Sequence, residues 1–129
     1  MQTQILGYPR IGANRELKKA CENYWAGKIE LEALLQCRRE ITKHNWQLQK
    51  QAGIDLIPCN DFSFYDQVLD LTLTLGAIPE RFNQVAINKR NTEIDLYFTL
   101  ARGYQKEGLD ITAMEMTKWF DTNYHYIVP

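Results

Sequence analysis

The sequence predicts an α/β fold that is rich in helices and contains a few short parallel strands. Short apolar runs, partly β-branched, alternate with longer segments of helical periodicity. Glycine and proline stand at most of the boundaries between them. Parallel strands need crossover connections, and the intervening helices can supply these. Chemistry in such folds lies beyond the carboxyl ends of the strands, which here are residues 7–15 and 58–63.

The first half of the chain predicts two strands with helices between them. A short run stops at a glycine, an amphipathic helix with Asn14 as N-cap ends at Gly27, and a longer amphipathic helix ends at Gly53. The predicted elements are residues 4–7 (strand), 15–26 (helix), 30–52 (helix) and 54–58 (strand).

The second half begins with an apolar helix. Ser63 and Asp66 resemble a capping box with Asp in place of Glu, and the helix ends near Gly76 and Pro79. Its apolar residues leave little polar surface, so we expect protein to cover more than one side. These residues are Val68, Leu69, Leu71, Leu73 and Leu75.

The remaining segments are shorter. Residues 82–93 lack clean periodicity and are interpreted as a loop. A helix is expected over 94–102, a turn between Gly103 and Gly108, a short amphipathic run over 114–120 and a third strand over 124–128.

Composition excludes several classes of function. The 129 residues are 45% hydrophobic, enough for about one domain. A net charge of -1 predicts binding to neither nucleic acid nor an anionic membrane. The first 13 residues lack a signal-peptide pattern, and no apolar run approaches the roughly 20 residues that span a bilayer, so we expect a cytoplasmic protein.

The sequence predicts no metal site and no catalytic residue in this chain. The 3 cysteines are widely spaced without a CxxC motif, which favours reduced, inert thiols. His44 and His125 are not in a metal-ligand spacing.

Cations are crowded where the first helix begins. Arg10, Arg15, Lys18 and Lys19 occupy one loop and a first helical turn, where the helix dipole disfavours positive charge. A bound carboxylate or phosphate would make this arrangement favourable. The alternative is a solvated basic face screened by Glu16 and Glu22, and the residues alone do not decide between them.

Two further clusters have a functional and a structural interpretation. In residues 60–66, Asp61 and the aromatic rings could face a ligand, although Asp61 and Ser63 are also good N-caps and the rings could belong to the core. In residues 115–126, Lys118 could bind an anion or lie over Trp119 and Tyr124.

Three blocks of the sequence resemble the N-terminal region of cobalamin-independent methionine synthases. They are LGYPRIGANRELKKA at residues 6–20, DFSFYDQVL at 61–69 and EMTKWFDTNYHYIVP at 115–129. Only residues 82–93 have no clear counterpart. The resemblance implies two (β/α)8 TIM-type barrels, of which this chain would form the opening portion of the first as a single, incomplete domain.

The resemblance also implies a reaction and a site. Family enzymes transfer a methyl group from 5-methyltetrahydropteroyltri-L-glutamate to L-homocysteine, and a zinc ion in the C-terminal barrel activates the thiol. The matching residues for binding the folate triglutamate tail are Arg15, Glu16, Leu17, Lys18 and Lys118. No residue here matches a zinc ligand, so the chain alone is expected to be inactive, with weak or partial folate binding.

The residues and the family resemblance leave two hypotheses open. The chain is either a methionine synthase fragment, excised or naturally truncated, or a non-catalytic interaction module built on the same fold. The second would use the apolar helix face at residues 68–75 and the strand at 124–128 to pair with itself or a partner.

Overall fold

The computed structural model describes residues 1–86 and 92–129. They divide into two compact units, residues 1–64 and 65–129, which are described separately. The first unit contains helices α1 (Glu16–Trp25) and α2 (Leu31–Gln51). The second contains α3 (Gln67–Thr74), a 3₁₀ helix (Glu80–Phe82), α4 (Asn83–Ala86), α5 (Glu93–Arg102), β1 (Tyr104–Lys106), β2 (Leu109–Ile111), β3 (Met116–Lys118) and β4 (His125–Ile127).

In the first unit, α1 packs against α2. Both helices were predicted, and each buries its apolar face: Leu17, Ala20 and Cys21 from α1, and Leu34 and Ile41 from α2. Gly27 has a φ of 67°, and the N–H of Lys28 reaches the carbonyl of Asn23 at 2.8 Å. This is the Schellman end that the glycine predicted.

Residues 4–7 and 54–58 were predicted as parallel strands, and this prediction is wrong because neither segment forms a strand. One parallel bridge joins Gln4 and Leu56, and the Leu56 N–H donates to the Thr3 carbonyl at 3.0 Å. The next residue of the same orientation is Pro58, which has no N–H to continue the ladder. The pairing therefore does not extend beyond a single bridge.

In the second unit, α3 packs against α5 and β4. The apolar helix was predicted, but its N-cap is Asp66, which accepts from the Leu69 N–H at 3.1 Å, and not Ser63. The capping box of this unit lies instead at α5, between Thr92 and Asp95. Leu69 is fully buried while Leu71 and Leu75 are 60% and 78% exposed, so the described residues do not cover the outer face of α3 as expected.

The strands of the second unit form two antiparallel hairpins. β1 pairs with β2, and the turn between them places Glu107 and Gly108 at φ values of 55° and 78°, as a tight two-residue hairpin requires. β3 pairs with β4, with Met116 opposite Ile127. The predicted third strand exists, but its direction is wrong, because it pairs with the segment that was predicted as an amphipathic run.

Residues 82–93 are not simply a loop. In their described part, Phe82 ends the 3₁₀ helix and Val85 lies in α4, and both side chains are buried. Residues 87–91 of the predicted loop lie outside the described residues. The helix predicted over 94–102 is confirmed as α5. Across residues 1–86 and 92–129, no helix is both long and apolar enough to cross a membrane.

Candidate functional site at the start of helix α1

The first turn of α1 has an unusual N-cap. Arg15, and not Asn14 as predicted, caps the helix, with φ 62° and ψ 37° in the left-handed region and no side-chain cap hydrogen bond. Its guanidinium is exposed and forms no ion pair among residues 1–86 and 92–129. The predicted cationic helix start is therefore present at the surface.

The carboxylate of Glu16 folds back over this N-terminus. Its Oε2 accepts the Asn14 N–H at 2.9 Å, and its Oε1 lies 3.4 Å from the Asn14 side-chain amide. Hydrogen bonds from its own backbone N–H and from Asn14 hold the pKa of the Glu16 carboxyl below its ordinary value, and Lys19 acts in the same direction. The helix dipole and the nearby cations favour an anion at this position, and the Glu16 carboxylate partly supplies it.

Gly12 makes room for that carboxylate. A Cβ at residue 12 would lie 2.1 Å from Oε2 of Glu16, and the backbone there has a φ of 83°. Any side chain at this position would collide with the carboxylate and strain the backbone. The glycine is therefore required by the folded-back geometry of Glu16.

Lys18 and Leu17 differ in what they can contribute. The ammonium of Lys18 is 3.5 Å from the Glu22 carboxylate, and its side chain is 48% exposed, so it remains accessible to a ligand anion. Leu17 is only 2% exposed, and its N–H donates to the Ile11 carbonyl at 3.1 Å. Leu17 thus contributes to the predicted site by packing and by holding the preceding loop.

The loop of residues 7–15 is held by polar contacts within the first unit. Asp61 Oδ2 accepts the Tyr8 N–H at 3.1 Å, and the Nε of Arg10 donates to the Ser63 carbonyl at 2.7 Å. The Asn45 side-chain amide donates to the Pro9 carbonyl at 3.2 Å. The sequence indicates Asp61 as a ligand contact or an N-cap and does not predict this role, although Gly7 directly before Tyr8 is a signal of close approach.

Lys118 lies in the second unit, on the exposed strand β3, where it stands opposite His125. The ring of Trp119 makes edge contacts with Phe120 and Tyr126, at centroid distances of 5.3 and 5.6 Å. The joint action of Lys118 with the α1 turn stays a prediction.

The aromatic residues in 60–66 favour the structural interpretation. Phe62 and Phe64 meet edge to face at 5.2 Å, and the Arg38 guanidinium lies 5.3 and 5.7 Å from the two ring centres. In the second unit, Asp66 is buried and accepts from Tyr124 and Ile127 at 2.5 and 3.2 Å. These contacts stabilise the fold.

The thiols of Cys21 and Cys37 are not activated as nucleophiles. Burial, with Cys37 nearby, raises the pKa of the Cys21 thiol to about 11, and burial likewise raises that of Cys37, so both remain protonated and weakly nucleophilic near neutral pH. Within residues 1–86 and 92–129, no group of three or more His, Cys, Asp or Glu side chains could hold a metal ion. A zinc ion therefore does not fit the described residues.

Comparison with known proteins gives one consistent result. Residues 2–129 match the family described as "Cobalamin-independent synthase, N-terminal domain". The chain is 67% identical over 129 residues to the 5-methyltetrahydropteroyltriglutamate–homocysteine methyltransferase of Flavobacterium johnsoniae. It is 68% identical over 124 residues to the protein of that name from Cytophaga hutchinsonii, and 50% identical over 135 residues to that from Saccharomyces cerevisiae.

These alignments cover 100%, 96% and 100% of the chain, but only 16%, 16% and 17% of the respective relatives. The chain thus spans about a sixth of the length of the curated relatives that it matches. Because the match to the N-terminal domain of this family includes all but the first residue, the chain belongs to the cobalamin-independent methionine synthase family.

Proposed function

We propose that this chain serves methionine biosynthesis, as part of a cytoplasmic enzyme that transfers a methyl group from 5-methyltetrahydropteroyltri-L-glutamate to L-homocysteine. Its share is to bind the polyglutamate tail of the folate. The names of the relatives support the reaction. The observation that carries the tail-binding role is the start of α1, where Arg15 and Lys18 are exposed and the Asn14 N–H already binds a carboxylate. The proposed contacts are Arg15, Glu16, Lys18 and Lys118, and the buried Leu17 supports the turn by packing.

The chemistry of the tail fits this turn. A polyglutamate presents a row of carboxylates, and a helix N-terminus together with cationic side chains favours such anions. Arg15 offers a planar fork of donors that can bind a carboxylate through two hydrogen bonds, whereas Lys18 offers a compact charge. Glu16 occupies the backbone N–H of Asn14, so tail carboxylates would contact the side-chain cations first.

In this proposal the chain positions the substrate and does not carry out the chemical step. Methyl transfer requires a thiolate to attack the N5-methyl group, and zinc bound elsewhere in the full-length enzyme would favour that thiolate. Residues of this chain hold the distal end of the folate, which limits its orientations when the methyl group meets the sulfur. We further propose that the chain forms the opening portion of a (β/α)8 barrel and is inactive alone.

The test is a comparison of two folates by NMR titration of the 129-residue chain at low salt. Exposed ion pairs contribute about 0 to 1 kcal/mol each, so we expect the triglutamate form to bind no more tightly than the millimolar range. The monoglutamate form should bind more weakly. Equal shifts with both folates would refute the tail-binding role.

Two controls separate a specific contact from general attraction. Lys18→Ala should weaken triglutamate binding by up to about fivefold, whereas Lys28→Ala, just beyond the C-terminal end of that helix, should leave it unchanged. Raising the salt from 0.05 to 0.5 M, values chosen to span strong and weak screening, should abolish the difference between the two folates. A methyl-transfer assay of the chain with homocysteine should show no turnover.

The exposed apolar residues of the second unit favour one other candidate, a non-catalytic self-association module. Four apolar side chains are at least half exposed: Leu71 on α3, Leu75 at its C-cap, and Trp119 and Phe120 beside β3. Sedimentation equilibrium distinguishes the two functions. A concentration-dependent dimer that Leu75→Glu dissociates would support the module, and a monomer at every concentration would exclude it.

A further inference from the structure

Two segments of the first unit, residues 3–8 and 55–61, meet at one parallel bridge, and aspartate side chains form hydrogen bonds between them at both ends. The bridge between Gln4 and Leu56 lies between these ends. At one end, Asp55 Oδ2 accepts the Thr3 N–H at 2.8 Å and the Thr3 hydroxyl at 3.0 Å. At the other, Asp61 Oδ2 accepts the Tyr8 N–H at 3.1 Å.

The Asp61 contact is close because residue 7 is glycine. A Cβ on Gly7 would lie 3.3 Å from Asp61 Oδ2 and 3.6 Å from its Cβ, so a larger residue would push the carboxylate away. The φ of Gly7 is not positive, so alanine at this position would add crowding without backbone strain. The glycine therefore serves the approach of Asp61.

From Tyr8 the contacts continue to the start of α1. Asn45 holds the Pro9 carbonyl. The Ile11 carbonyl then accepts the Leu17 N–H, and the Gly12 carbonyl accepts the Arg15 N–H, both at 3.1 Å. A series of hydrogen bonds thus runs from Asp61 through the loop to the backbone N–H of Arg15, the residue with the left-handed conformation.

We infer that Asp61 is a positioning residue, which fixes the 7–15 loop and thereby the orientation of the carboxylate-binding turn of α1. This inference rests on the proposed tail-binding function. Asp61 acts through the Tyr8 N–H, and an amide oxygen at the same position can accept that hydrogen bond. Asp55 makes a similar contact at the far end of the same segment and does not lead to the α1 turn.

The experiment measures triglutamate and monoglutamate affinity by NMR titration for the wild-type chain and four variants. Asp61→Ala should weaken triglutamate binding about fivefold and erase its preference over monoglutamate. Asp61→Asn keeps an acceptor oxygen and should restore binding. Gly7→Ala, which crowds the carboxylate without removing it, should lower affinity in the same direction but less. Asp55→Ala is the matched control and should leave affinity within about twofold of wild type.

The free-protein spectra provide a readout that does not depend on the ligand. Asp61→Ala and Gly7→Ala should move the amide signals of Arg15 and Glu16, whereas Asp55→Ala should not. Equal losses of affinity for Asp61→Ala and Asp55→Ala, or unmoved Arg15 and Glu16 signals in Gly7→Ala, would overturn the inference. If the wild-type chain does not distinguish the two folates, the proposed function itself fails and the inference falls with it.

Discussion

A carboxylate accepts a backbone N–H at the start of both α1 and α3, but it comes from a different position in each helix. At α3, the buried Asp66 caps the helix, and its two oxygens also accept from Tyr124 and Ile127. At α1, the cap residue is the exposed Arg15, and the carboxylate comes from Glu16 inside the helix. A buried, fully bonded cap stabilises the fold, whereas a surface turn rich in cations remains open to a ligand.

The largest expected effect on the free energy of unfolding is at Asp66. Asp66→Ala leaves the buried N–H groups of Leu69 and Ile127 without an acceptor, so we expect a loss of about 3 to 5 kcal/mol in the free energy of unfolding. Urea denaturation measures it. Asp121→Ala, an exposed aspartate of the same unit, is the control and should cost less than about 0.5 kcal/mol. Similar midpoints for the two variants would contradict the structural role of Asp66.

Tyr97 should have the next largest effect. Its hydroxyl accepts the backbone N–H groups of Tyr65 and Asp66 at 2.8 and 3.0 Å, so Tyr97→Phe should cost about 1 to 2 kcal/mol. Burial raises the pKa of the Tyr97 phenol far above its ordinary value of 10.0. The wild type should therefore lose stability relative to Tyr97→Phe as the pH rises above 10.0, because the unfolded state ionises first. Denaturation midpoints that fall in parallel above that pH would be inconsistent with this.

Glu16 should have a smaller effect that depends on acid. Its lowered pKa means that the folded state favours the carboxylate, a contribution present above the ordinary value of 4.5 and lost as the pH falls below it. Glu16→Gln should thus be slightly less stable than wild type at pH 7, with the difference disappearing in acid. Thermal melts at pH 7 and pH 3 measure it. A difference that grows in acid would show that Glu16 is not held as a carboxylate.

Arg15 should matter least for stability. A left-handed backbone costs a non-glycine residue about 1 to 2 kcal/mol, and glycine's greater freedom in the unfolded chain offsets most of the relief. Arg15→Gly should therefore change stability by less than about 0.5 kcal/mol, whereas Lys18→Gly, inside α1, should cost about 1 kcal/mol. Both should weaken triglutamate binding. A large stability loss in Arg15→Gly would mean that its side chain supports the fold.

Helices α1, α2, α3 and α5 could be predicted from the sequence because each carries its own signals. The 3.6-residue spacing of Leu17, Ala20 and Cys21, and the stop at Gly27, are local properties of the chain. Strand pairing is not local. The residue types of 124–128 predicted the strand that contains Ile127, but nothing in them indicates whether the partner strand runs parallel or antiparallel.

The candidate site was predictable only in its composition. The crowd of cations predicted an anion at the start of α1, but the fold-back of Glu16 depends on the backbone at Gly12 and Arg15, which propensities do not indicate. Asn14 is a common N-cap residue, yet here it donates to Glu16. Likewise, the β1–β2 turn uses Glu107 at a positive φ, which few non-glycine residues adopt.

The position of Asp66 in the chain also bears on how quickly the second unit can fold. The bond from Ile127 to Asp66 joins residues 61 positions apart, whereas the β3–β4 hairpin joins near neighbours. Closing so long a loop costs chain entropy before any packing repays it, so the hairpin should form early and its docking on Asp66 late. Stopped-flow measurements on Asp66→Asn should then show faster unfolding with little change in the folding rate. Asp66, the N-cap of α3, would thus form its long-range hydrogen bond to Ile127 in one of the last steps of folding.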